Sequence, residues 1–283
     1  MERRGRGERL NLVRTVVGAI GAWGRNYLWA PRYRRAEMMT LTAEDGTRLS
    51  ASHLAGPQGA FATVVLVHGF LNWSRTPAVH AFARRLAQEV NVIVVDLRGH
   101  GRSGGRCTLG VEEPLDVEAA VASAPQGVPV VTVGVSLGGS AAIVQAGRFR
   151  NVAGVVAVSA PGWSGSVERE GSAAVHRWVA SPLMRLVLAS LMRTRTAKSL
   201  HPVAESSATV AAISPSFAIF VHDRQDRFFG PEHAEALYGW AGEPKQLWWV
   251  DGAGHGADVL TESFAVRLVG ELRSKLETRS PIA

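Results

Sequence analysis

Six short apolar runs, rich in β-branched residues, recur along the chain and limit what it can become: Thr63–Val67, Val92–Val95, Pro129–Val135, Val152–Val158, Phe217–Val221 and Gln246–Val250. Continuous runs of this kind suit strands covered on both faces, as in a parallel sheet. Segments with helical spacing lie between them. In Pro77–Glu89, for example, Val79, Phe82, Ala83 and Leu86 share one side. Glu112–Ser123, Leu137–Phe149, Pro231–Trp240 and Ala257–Leu276 also read as helices. Strand and helix in alternation imply a mostly parallel central sheet with helices on both faces, an α/β fold. Ahead of this core, Met38–Leu54 reads as a hairpin that turns at Asp45–Gly46.

The alternation breaks between Pro161 and about Ile213. Helical runs at Ala173–Ala180 and Leu183–Met192 flank Pro182, and no buried strand intervenes. This region, about residues 161–213, is expected to be a helical cap inserted into a domain spanning residues 37–283. Its Trp163, Trp178, Leu183, Leu186, Leu188 and Leu191 have the spacing of core first and pocket second. An apolar cap favours a hydrophobic ligand.

Ligands of such sheets bind beyond the carboxyl ends of the strands, where His68, Asp96 and Ser136 fall. Ser136 stands in Gly134-Val135-Ser136-Leu137-Gly138, between a strand and a helix. A tight turn there pushes the hydroxyl outward, the flanking glycines let strand and helix pack closely, and the helix N-terminus faces developing negative charge. A serine needs a base. His255 lies in Gly252-Ala253-Gly254-His255-Gly256, after the last strand. The base needs an acid, and His222-Asp223-Arg224-Gln225-Asp226 offers two, Asp226 first and Asp223 second. The chain order is then Ser136, Asp226, His255.

These motifs together resemble the α/β-hydrolase superfamily from about Met38 onward. His68-Gly69-Phe70 is similar to its "HG" loop, Asp96-Leu97-Arg98-Gly99-His100-Gly101-Arg102-Ser103 to its "D-x-R-G-x-G-x-S" loop, and Gly254-His255 to its histidine loop. The resemblance implies an oxyanion hole from the backbone N–H groups of Phe70 and Leu137, with His68, Asp96 and Arg98 shaping loops. The family's acid motif usually reads glycine, two residues, aspartate. Asp226 matches that aspartate, and Asp223 stands where the glycine is expected.

The formal net charge is +7, and Arg3, Arg4, Arg6, Arg9, Arg14, Arg25, Arg32, Arg34 and Arg35 crowd residues 1–36. That segment reads as a basic N-terminal arm or helix, solvated or in weak contact with a membrane surface. Its apolar stretch is far short of the ~20 residues of a membrane span. No basic motif interleaved with aromatics follows, so no nucleic-acid partner is expected. One cysteine, Cys107, permits no intrachain disulfide and reads as an incidental loop thiol; the expectation is a cytoplasmic chain with at most peripheral membrane contact. No His/Cys/Asp cluster has metal-ligand spacing, and serine chemistry needs no cofactor.

The expected activity is hydrolysis of a carboxylic ester through an acyl-enzyme on Ser136, and the apolar cap favours a hydrophobic acyl group. Thioester hydrolysis or acyl transfer on the same residues is the alternative enzyme, and a hydrolase-fold binding protein is the alternative without catalysis. The sequence leaves the oligomeric state open.

Overall fold

The computed structural model describes Tyr33 and residues 36–163, 170–197 and 206–277. Of the expected basic arm, only Tyr33 and Ala36 lie within these residues. The core is one sheet of eight strands: β1 (Glu37–Thr42), β2 (Arg48–Leu54), β3 (Thr63–Val67), β4 (Asn91–Val95), β5 (Val130–Val135), β6 (Gly154–Val158), β7 (Phe217–His222) and β8 (Lys245–Trp249). Their spatial order is β1-β2-β4-β3-β5-β6-β7-β8. β2 pairs antiparallel with both β1 and β4, and every pairing from β4 to β8 is parallel. The expected hairpin is thus β1–β2, and its turn is held by Asp45 Oδ1, which accepts the Thr47 N–H at 3.0 Å.

Helices α1 (Pro77–Leu86), α2 (Glu113–Ala122), α3 (Leu137–Phe149), α7 (Pro231–Trp240) and α8 (Glu262–Glu277) cover the sheet. Val79, Phe82 and Leu86 of α1 join Phe264, Leu268 and Leu272 of α8 in one apolar cluster. Val117 of α2, Ile143 of α3 and Leu237 of α7 belong to a second cluster on the other face. β3, β6 and β7 are buried at every residue, as their unbroken apolar runs require.

The last helix differs from its expected extent. A 3-10 turn, Gly256–Val259, ends at Leu260, and α8 starts afresh at Glu262. Thr261 causes the restart: its Oγ1 accepts the Phe264 N–H at 3.2 Å, an N-terminal cap of the new helix.

The region between β6 and β7 holds α4 (Glu170–Ala180), α5 (Pro182–Leu191) and a short α6 (Ser206–Val210). Pro182 opens α5, and Ser181 Oγ caps it by accepting the Met184 N–H at 3.3 Å. The spacing of these leucines suggests burial, yet Leu188 alone among the residues of α5 is buried. Leu183, Leu186 and Leu191 are 71%, 63% and 66% exposed. After α5 the chain is stitched to the Asp96–Cys107 loop. Gly101 donates to Arg193 O at 3.0 Å, Arg195 to Gly99 O at 2.7 Å and Cys107 to Arg195 O at 2.7 Å. Cys107 is completely buried beneath this seam, and burial pushes its thiol far above the usual range.

Candidate active site

The strand order reverses direction about β3, since the chain steps from β3 to β4 on one side and returns to β5 on the other. Crevices at such a reversal are where these sheets bind ligands. The loops after β3 and β5 carry Phe70 and Ser136, and those after β7 and β8 carry Asp226 and His255.

Ser136 sits between β5 and α3 with φ 52° and ψ −115°, a left-handed backbone that a side chain adopts only under strain. Two glycines make the turn possible. A Cβ on Gly134 would stand 2.2 Å from Gly138 O, and one on Gly138 would stand 2.5 Å from both Val67 O and His68 O. These neighbours are backbone and cannot swing aside. The Ser136 N–H is bound to Val158 O at 2.8 Å, so the strained residue is anchored to β6.

His255 Nε2 lies 3.0 Å from Ser136 Oγ, and His255 Nδ1 lies 2.6 Å from Asp226 Oδ2. The three residues therefore form one hydrogen-bonded line across 119 residues of sequence. Asp226 is fully buried, while the His255 side chain keeps 12% exposure. Burial alone would raise the Asp226 pKa. The hydrogen bond and charge of His255, with the Phe228 and Phe229 amides, outweigh it and hold the carboxyl below its ordinary value. Those amides donate to Asp226 Oδ1 at 2.7 and 3.2 Å.

Asp223 points elsewhere. Its Oδ2 accepts the Gly254 N–H at 2.7 Å and its Oδ1 accepts the Gln225 N–H at 2.8 Å. The aspartate that replaces the expected glycine thus ties the acid loop to the histidine loop. Ser159 clamps the other flank: its Oγ accepts the Gly256 N–H at 3.1 Å. Both residues are buried. His255 is also covered by Phe228 and Phe229, with ring centroids 4.3 and 5.6 Å away. Sequence reading passed over Ser159 and both phenylalanines. The run Asp226-Arg227-Phe228-Phe229 did place two aromatics beside the acid.

Leu137 is the first residue of α3, so its N–H has no acceptor within the helix. Phe70 lies in a turn closed by the Asn72 N–H on Gly69 O at 3.1 Å. A Cβ on Gly69 would come within 3.4 Å of Ser136 Cβ, so this turn runs directly beside the serine. His68 supports it from below. Its Nε2 accepts the Leu97 N–H at 3.0 Å and its Nδ1–H donates to Gly69 O at 2.8 Å, which requires the neutral tautomer. Burial lowers the His68 pKa in the same sense, against the opposing charge of Asp96. His100, which no sequence argument placed, stands edge-on to Phe70 and His68 at centroid distances of 5.9 and 5.0 Å. Asp96 accepts the Ser74 N–H at 2.7 Å and the Arg102 N–H at 3.1 Å, joining the loops after β3 and β4.

Comparison with known proteins agrees with this architecture. The model of the "Alpha/beta hydrolase family" matches residues 64–271. The protein YfhR of Salmonella typhi is 26% identical over 263 residues, covering 86% of this chain and 82% of that protein. An esterase of Pyrococcus furiosus superposes with a TM-score of 0.67 at 21% identity, covering 88% of this chain and 98% of its own. An esterase of a Rhodococcus species superposes with a TM-score of 0.65 at 20% identity, covering 86% and 99%. With a family model matched from β3 into α8, on a fold that sets a serine at the strand–helix turn, the chain belongs to the alpha/beta hydrolase family.

Proposed function

We propose that this protein is a serine hydrolase that cleaves carboxylic esters through an acyl-enzyme on Ser136. The observation that carries the reading is the unbroken line from Ser136 Oγ through His255 to Asp226, at 3.0 and 2.6 Å. The two esterases that share the fold support the class of reaction, by the names they carry.

In this mechanism His255 Nε2 takes the Ser136 proton while Oγ attacks the ester carbonyl. The oxyanion of the tetrahedral intermediate accepts hydrogen bonds from the Leu137 and Phe70 N–H groups. Each such donor acts on charge absent from the ground state and contributes roughly 3 kcal/mol. His255 then returns the proton to the leaving alkoxide, and the alcohol departs. Water enters, gives a proton to His255, and attacks the acyl carbon. Collapse of the second intermediate releases the acid and restores the Ser136 hydroxyl. Asp226 stays ionised throughout and holds the His255 Nδ1–H. The fixed contacts on Gly254 and Gly256 keep the imidazole aimed at Oγ.

A fluorophosphonate probe tests the nucleophile. The full chain is expected to take one label, on Ser136, and Ser136→Ala to take none. Absence of label on the wild type, or equal label on the variant, defeats the proposal. A series of p-nitrophenyl esters of rising chain length, with and without added alcohol or thiol acceptors, then separates hydrolysis from acyl transfer.

The clamps give a further expectation. Asp223→Ala and Ser159→Ala each remove one restraint on the histidine loop while leaving Ser136, His255 and Asp226 in place. Each is expected to lower kcat about 10–100-fold, with KM little changed, because a misplacement on the scale of an ångström costs that much. Steady-state kinetics on a p-nitrophenyl ester checks it; a change confined to KM would contradict the positioning role.

A further inference from the structure

Among the described residues, four of the seven large hydrophobic side chains left in solvent belong to α4 and α5: Trp178, Leu183, Leu186 and Leu191. A surface helix of a globular domain turns its apolar stripe inward. α5 does the reverse. At about 100° per residue, Leu183, Leu186 and Leu191 fall within one half of its circumference, and that half faces water. Isolated exposed leucines are ordinary, but a clustered apolar face marks an interaction surface.

Charge identifies the partner. From the first residue of α4 to Ala197 the chain carries Arg177, Arg185, Arg193 and Arg195 against a single acid, Glu170, at the far end of α4. Two of these cations lie on the helices themselves: Arg177 shares α4 with Trp178, and Arg185 lies within α5, its guanidinium held on Val179 O at 3.1 Å, while Arg193 and Arg195 turn back over Trp73 and onto Ser103 O. A second copy of this face would meet it with the same sign of charge. So would the basic arm, whose sequence carries nine arginines against Glu2 and Glu8. An apolar stripe accompanied by an excess of cations fits instead the boundary between acyl chains and anionic headgroups. No helix among the described residues is long and apolar enough to cross a membrane, so the contact is interfacial.

We propose that the outward face of α4 and α5 seats on the surface of an anionic lipid bilayer. Leu183, Leu186, Leu191 and Trp178 enter the headgroup region, and Arg177 and Arg185 engage lipid phosphates. This contact is separate from the Ser136 chemistry, and an inactive Ser136→Ala chain would make it equally.

The test is flotation of the full chain with vesicles of phosphatidylglycerol and phosphatidylcholine, and with vesicles of phosphatidylcholine alone. The wild type is expected to float with the anionic vesicles, less so in 0.5 M salt, and to ignore the neutral ones. The triple variant Leu183→Ser, Leu186→Ser, Leu191→Ser changes only side chains already in water. It is expected to keep its melting temperature and to bind at least about tenfold more weakly. A second full-length variant, with Arg3, Arg4, Arg6 and Arg9 replaced by Gln, is expected to retain most of the binding. The proposal is overturned if the wild type does not float, floats equally with neutral lipid, or is unaffected by the triple change. It is equally overturned if the arm variant alone abolishes binding. Two further results reassign the face and overturn the proposal. In one, sedimentation shows a dimer that the triple variant dissolves without any lipid binding; in the other, soluble polyglutamate is bound in place of vesicles.

Discussion

His255→Ala is expected to reduce kcat for an ester substrate by on the order of 10⁶-fold, close to the loss from Ser136→Ala. The two residues act as one unit: without the imidazole, Oγ keeps its proton, and without Oγ the imidazole has nothing to activate. The double variant should therefore be no worse than either single one. Asp226→Asn should cost less, about 10⁴-fold. The amide can still meet His255 Nδ1 at the 2.6 Å position, but it offers a neutral group, or a donor, where a carboxylate accepts and balances the imidazolium. Asp223→Asn removes no partner of His255 and should lose far less activity than Asp226→Asn. The reverse order in a kcat comparison would transfer the acid role to Asp223. Equal melting temperatures for all variants would place the losses in chemistry, not folding.

Arg98→Met should be the most damaging single change to stability away from that site. Arg98 is nearly inaccessible and serves three carboxylates. Its Nη2 and Nε meet Asp116 Oδ1 at 2.7 and 2.9 Å, its Nη1 meets Asp45 at 2.7 Å, and it also bonds Glu112. Burial opposes the positive charge, but Asp116 and Asp45 more than compensate, and the guanidinium is held charged more firmly than a free arginine. Asp45 belongs to the β1–β2 turn, and Glu112 and Asp116 to the start of α2, so one side chain joins the hairpin to the helical layer. Methionine would leave Asp116 without its partner: burial already raises its pKa to about 7 beside Arg98, so the lone carboxyl must either bury its charge or take up a proton and lose its ion-pair and hydrogen-bond partners. Losses of this kind run to about 3–5 kcal/mol, equivalent to a fall in Tm of roughly 10 °C for a chain of this size. The double change Arg98→Met, Asp116→Leu should recover much of that loss, since an apolar pair removes the stranded carboxyl. Calorimetry on both variants decides the matter. A single variant within 1 °C of wild type would show that water or a proton relieves Asp116 once Arg98 is gone.

What could be read from the chain follows from which interactions are periodic. The buried strands announce themselves because every residue of β3, β6 and β7 is covered, and that demands unbroken apolar runs. Ser136 and His255 were legible because each stands among glycines at a strand end, where backbone geometry restricts the residue type. The two aspartates were harder to separate. They stand three residues apart in one turn, and the direction of each carboxylate depends on contacts made 29 and 31 residues later. The seam between Arg193–Ala197 and the Asp96–Cys107 loop was invisible for a related reason. It is made of backbone bonds between irregular segments, and backbone groups leave no pattern in side chains. The break at Thr261 was hidden because apolar spacing continues across it. Helical spacing likewise defined the leucine stripe of α5 but not which way it faces, because spacing fixes a face only relative to its own helix axis.

The 119-residue span between Ser136 and His255 has a consequence during synthesis. A ribosome delivers the serine, its turn and the first five strands well before β8 exists, and N-terminal segments organise first. Until the final strand pairs with β7 and carries the imidazole into place, the emerging chain holds an idle hydroxyl. On the proposed serine chemistry, hydrolytic power would thus switch on only with the closing crossover.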